Sequence, residues 1–161
     1  MATMDWFEGV FFGFMATLVL TGSMVVAQLA GWTRMDLPLI LGTMLVGSVD
    51  LARVVGVVMH MVIGVGFALL YLIGFELVGG SGPLLGAAFG LVHGLAALTL
   101  IVPFLPAIHP RMASERSGPE IATELEPPGL LALNFGIRTP LVTIAAHVLY
   151  GSVLGVLLGA D

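Results

Sequence analysis

The sequence predicts an all-α integral membrane protein: a four-helix bundle with one short interfacial or re-entrant segment. Three observations predict it. Of 161 residues, 58% are hydrophobic and only 9% charged, against about 25% charged in a soluble domain. The mean hydropathy is +1.11, more apolar than one core can hide. The apolar residues also gather in four runs of the roughly 20 residues that a bilayer core of about 30 Å requires. Helices are expected because a spanning backbone must satisfy its own hydrogen bonds, and these runs do not alternate as barrel strands do. A net charge of −5 argues against a nucleic-acid partner. The absence of cysteine excludes disulfides, thiolate metal sites and cysteine nucleophiles.

The first span is expected at 9–30, bracketed by Trp6 and Trp32 as interfacial anchors. Asp5 and Glu8 precede it without a basic side chain, so the start does not read as a cleavable signal. The run 37–49 is too short to cross, and Pro38 suits the first turn of a short helix lying at the interface. The second span covers 54–78. Asp50 and Arg53, three apart at its start, are expected to pair, and Glu76 stands at headgroup level at its far end. The third span covers 84–103 and the fourth 141–158. Between them lies a polar loop, 104–139. In it, Ser117-Gly118-Pro119-Glu120 reads as a helix start and Pro127-Pro128 as its stop. Glu115, Glu120, Glu124 and Glu126 read as a solvated acidic face, with a divalent-cation cluster as the alternative. His109 is expected to be exposed, and 129–137 to be interfacial.

Orientation follows from arginine. Arg34 and Arg53 lie between spans one and two, and Arg111, Arg116 and Arg138 between spans three and four. No arginine lies at either end of the chain or in the turn between spans two and three, and there is no lysine. This positive-inside bias predicts both termini outside and the two long connections in the cytoplasm.

The chain also repeats itself. Gly9, Phe12, Gly13, Leu18, Val25, Arg34 and Met35 recur at constant spacing as Gly86, Phe89, Gly90, Leu95, Val102, Arg111 and Met112. His60-x-x-x-Gly64 then recurs as His147-x-x-x-Gly151. A duplication of this kind implies a parallel two-helix repeat, related by an axis along the membrane normal. Each span carries a stripe of small residues, including a double GxxxG at Gly86, Gly90 and Gly94 and another at Gly151, Gly155 and Gly159. Such stripes allow the close helix contact that lipid does not otherwise drive.

His60, His93 and His147 lie inside three different spans, on the same faces as these small residues. Ionisable groups at such positions mark function by default, because they are costly to keep in a membrane. At 1.5 Å per residue, His60 and His147 fall about 10 Å, and His93 about 15 Å, from the cytoplasmic ends of their spans, so the three form one layer. Three chemistries fit. The imidazoles can be neutral and structural, bonded to partners such as Thr143, Tyr71 or Tyr150. They can hold a cofactor, either b-type haem with room made by the nearby glycines or a bare transition metal. Or they can relay protons. No P-loop, HExxH, dinucleotide fingerprint or Ser/His/Asp pattern accompanies them.

The segment His147-Val-Leu-Tyr150-Gly151-Ser-Val-Leu-Gly155, with Gly13-Phe-Met-Ala-Thr-Leu-Val-Leu and Met35-Asp-Leu-Pro38, resembles small uncharacterised four-helix bacterial inner-membrane proteins of the YagU-like type. The resemblance implies the cytoplasmic membrane of a bacterium and carries no functional residue. Two functions are therefore expected. The first is a non-catalytic subunit or assembly factor, partnered by the bilayer and by other membrane subunits or itself. The second is a haem- or metal-binding redox or transport element centred on His60, His93 and His147.

Overall fold

A computed structural model describes residues 6–113 and 125–159. The order is α1 (Trp6–Leu29), α2 (Leu37–Gly42), α3 (Val49–Val78), α4 (Pro83–Ala96), α5 (Leu105–Ile108) and α6 (Thr139–Leu157). A π turn (Ala97–Ile101) and a 3₁₀ turn (Val102–Phe104) join α4 to α5, so the third span is one broken helical path, Pro83–Ile108. Four helices are long and apolar enough to cross a bilayer. The protein is an all-α membrane bundle. Its outer surface is correspondingly apolar, with Phe11, Val58, Val92 and Leu141 all more than half exposed. Trp6 and Trp32 stand half-exposed at the two ends of α1, where anchors belong.

Two boundaries differ from the sequence reading by more than a helical turn. The second span, α3, starts at Val49, and the third helical path runs on to Ile108. Packing accounts for the first. α2 is capped by Asp36, whose carboxylate accepts from the Leu39 N–H at 3.0 Å, and Pro38 occupies its first turn. It then folds back on the start of α3. A methyl on Gly42 would lie 1.7 Å from the Ala52 carbonyl oxygen, and one on Gly56 1.7 Å from that of Pro38. The short apolar run is thus a hairpin arm clamped to α3, and the clamp holds the extra turn helical. Arg53 pairs with Asp36 at 2.9 Å, not with Asp50. α2 brings the cap residue to the arginine.

The closest contact between two membrane spans joins α4 to α6. Methyl groups on Gly86 and Gly151 would lie 1.9 and 2.0 Å from each other's carbonyl oxygens, and one on Gly90 2.2 Å from that of His147. Only bare Cα atoms permit this approach. α1 meets α3 more loosely, with Gly13 against Ala68 and Gly64 against Thr17. α1 also packs on α6, whereas no comparable backbone contact joins α3 to the third span.

The connections of the two halves follow one element order. In each half a long helix leads through an Arg-Met pair and a short helical segment into a second long helix. Met35 and Met112 are both buried. Arg34 donates to the Asn134 carbonyl beside the 3₁₀ segment Leu130–Phe135, and Arg111 donates to the Thr43 carbonyl at the end of α2 at 2.6 Å. Each half's arginine therefore caps the other half's short segment. The stretch 129–137 is only partly interfacial: Ala132 and Phe135 are buried, and Leu131 and Ala132 take left-handed backbone angles (φ 54 and 59) to turn it inward. Arg34 also pairs with Glu126 at 3.2 Å. The proposed helix start at Ser117 and the residues Glu115, Arg116, Glu120 and Glu124 lie outside the described residues.

If the α4–α6 contact sets the bundle, Gly86→Ala and Gly151→Ala should each destabilise the protein by about 1–3 kcal/mol. Gly66, with nothing within 4 Å of an added methyl, should accept alanine neutrally or with a small gain from helix propensity. Unfolding curves of the three variants in one mild detergent check this.

Candidate intramembrane histidine site

The three intramembrane histidines come together. His60, His93 and His147 all line one cavity of about 130 Å³ between the four spans. His60 and His147 are buried and His93 partly so. With α3 starting at Val49, His60 lies about 16 Å along its helix, and His147 about 12 Å along α6. The layer thus sits nearer the middle of the spans than the sequence places it.

Each ring is fixed by a neighbour. On α6, His147 Nδ1 lies 2.8 Å from the Thr143 carbonyl oxygen, one turn earlier. A carbonyl only accepts, so Nδ1 carries the proton and Nε2 is left as an acceptor. His60 Nδ1 lies 2.9 Å from Thr21 Oγ on α1, and the Thr21 hydroxyl donates to the Thr17 carbonyl at 2.7 Å. Its single proton is engaged there, so His60 Nδ1–H is the donor and its Nε2 is also left as an acceptor. His93 Nδ1 lies 3.3 Å from the Tyr71 hydroxyl. Its ring stacks on Phe67 at 4.0 Å and meets the His147 ring edge-on at 4.7 Å. The short α4–α6 distance is what brings these two imidazoles together: the helix faces meet at Gly90 and Gly94, directly against His147.

Of the partners named from sequence, Tyr71 bonds His93 and Thr143 bonds His147 through its carbonyl. Tyr150 instead donates to the Gly64 carbonyl at 2.6 Å, tying α6 to α3. Thr21 was missed. Its face on α1 signals burial, but no local pattern pairs it with a histidine 39 positions on. The Thr143 hydroxyl is the one buried side-chain polar atom without a hydrogen-bond partner among the described residues. Thr143 is 3% exposed and lines the cavity.

His109 corrects an expectation. It is buried, not exposed. Its Nε2 donates to the Ile40 carbonyl at 2.8 Å and its Nδ1 accepts from the Arg111 N–H at 3.1 Å. With Arg111 it closes the end of α2, a structural role that its place between two prolines does not disclose.

Haem does not fit this site. The cavity falls well short of the roughly 300 Å³ at which pockets for larger organic ligands begin. The glycines counted on to make room are filled instead: Gly64 by Thr17, and Gly90 and Gly94 by α6. Among the described residues no group of three or more histidine or acidic side chains is arranged to hold a metal ion, so the bare three-imidazole centre gains no support. The lining has no Asp, Glu, Lys or Arg.

Compared with protein-family models, curated proteins and solved structures, the chain matches none. The YagU-like resemblance rests on sequence pattern alone.

The hydrogen-bond network fixes opposite tautomers for two histidines. In ¹⁵N spectra of histidine-labelled protein at neutral pH, His147 should carry its proton on Nδ1 and His109 on Nε2. Thr21→Val should perturb the His60 signals and leave those of His109 in place. A proton on His147 Nε2 would contradict the Thr143 bond.

Proposed function

We propose that the chain is a non-enzymatic transport element of the membrane, which holds a small cargo among His60, His93 and His147. The observation that carries this is the shared cavity, with three imidazoles and an unpartnered buried threonine hydroxyl around it. Polar groups kept in a bundle interior at such cost mark substrate and ion pathways. Of the cofactor-type readings, transport is the one compatible with a volume that suits a small molecule or a few waters at roughly 30 Å³ each. The arginine bias supports both termini outside, and the YagU-like resemblance supports the cytoplasmic membrane of a bacterium.

A second reading is a subunit or assembly factor of a larger complex. It draws on the groove between α1 and α6, about 440 Å³, lined by Ser23, Ala27, Ala145 and Ala146 beside Trp32 and Leu149. These small residues would let a further helix of another membrane subunit approach.

Protein extracted in mild detergent from its own host separates the two. In native mass spectrometry the transport reading expects a small bound mass, absent from monodisperse His60→Leu and His147→Leu variants, and an absorption spectrum with no Soret band. A bound mass that survives both substitutions would overturn the histidine site. Comigration with a larger complex on a blue-native gel, without bound mass, would favour the subunit reading. A Soret band lost in His60→Ala would overturn the exclusion of haem.

A further inference from the structure

The ligand class can be read from the walls of the cavity and from where they open. We infer that the cargo is an uncharged, lipid-borne molecule with an alcohol- or phenol-type hydroxyl head, admitted sideways from the bilayer between α3 and the third span. This deepens the transport reading and rests on it.

The opening is set by which lining residues also reach the outer surface. Those from α1 and α6 do not: Leu20, Met24, Thr143, His147 and Tyr150 are all buried. Those from α3 and the third span do, as in part do Leu37 and Leu41 of α2, which packs on α3. Ile63 is 42% and Ile101 48% exposed, and Phe67, His93 and Ala97 are partly exposed. Among the described residues this is also the one seam between neighbouring spans that no close backbone contact seals. Side chains close its outer part, with Phe67 on His93 and Phe75 on Phe89 at 5.2 Å. Below them the third span widens into the π turn at Ala97–Ile101, a distortion frequent at functional sites. The seam therefore opens toward hydrocarbon. A cargo using it must be at home there.

The head group follows from what the closed end of the cavity offers. Thr143 and His147 are one turn apart on α6 and so lie side by side. His147 Nε2 accepts, because Nδ1 is held by the Thr143 carbonyl. The Thr143 hydroxyl has no partner among the described residues. A hydroxyl head satisfies both at once: its O–H donates to Nε2 and its oxygen accepts from Thr143 Oγ. A carboxylate or phosphate would bring a charge to walls that carry no Lys or Arg, at a large desolvation cost. The cavity takes the head and the first carbons, and the tail passes out along Ile63 and Ile101.

The test uses the full chain in phosphatidylcholine nanodiscs, irradiated with a long-chain alcohol bearing a mid-chain diazirine. Two control probes share the chain and the diazirine but end in a methyl group or a carboxylate. Cross-links from the alcohol should concentrate on Ile63, Phe67, Ala97 and Ile101. They should exceed those from the methyl-ended probe by about tenfold, the scale of two modest buried hydrogen bonds. Thr143→Val, which keeps the side-chain shape, should cut the alcohol's excess to about threefold, the share left by the bond to His147 Nε2, without lowering the melting temperature. Ile63→Trp, which fills the seam, should abolish the labelling independently of any effect of Thr143→Val on folding. Equal labelling by all three probes would overturn the inference and leave a cavity that holds water alone. Preferential labelling by the carboxylate would overturn the uncharged head, and labelling confined to the α1–α6 groove would overturn the entry route. If a bound mass is present in the native protein but excess long-chain alcohol does not displace it, the ligand class is wrong and the transport reading stands. If no bound mass and no selective labelling appear, both fall.

Discussion

The contact of α4 with α6 at bare glycine backbone governs the geometry of this bundle. Within lipid nothing squeezes helices together for being apolar, so the depth of approach is decided by what stands between the two backbones. At Gly86, Gly90, Gly151 and Gly155 nothing does. The consequence reaches the site directly. His93 lies between Gly90 and Gly94 on α4, and His147 one turn before Gly151 on α6, so the helices cannot close without bringing the two rings edge to face. The site is a by-product of the tightest packing between two membrane spans.

The other half of the bundle is built differently, and the difference makes the cavity. In the first half the positions matching Gly94 and Gly151 are Thr17 and Gly64, and they pack against each other. A threonine stripe on α1 holds α3 farther out. Thr17 and Thr21 each donate back to their own helix, and Thr21 then accepts from His60. Two halves with the same element order thus meet with one tight pair and one looser pair. The space left between α3 and the third span is bridged by rings and not by backbone. An exact duplicate would have no such seam.

Much of this was legible along the chain. The four spans, the short segment started by Pro38, the anchors Trp6 and Trp32 and the inward faces of the three histidines follow from hydropathy and from 3.6-residue periodicity. Arg53 and His109 were less legible, since each serves α2: one pairs with its cap residue and the other closes its last turn. A six-residue helix leaves almost no periodic signal of where it will lie, so residues whose role is to hold it look exposed. The pairing of Arg34 and Arg111 with opposite halves was hidden for the same reason.

By itself the sequence determined how many helices are long and apolar enough to cross a membrane and which side chains turn into the bundle. Both depend only on residues near one another along a helix, and a regular helix converts such spacing into length and angle without outside help. The tertiary structure alone decided which atom each imidazole faces, which hydroxyl has no partner and which seam is ajar. Those outcomes turn on differences of about an ångström between helices brought together from distant parts of the chain. That distance is set by pairs of residues meeting across a contact, and no single stretch of sequence contains both members of the pair.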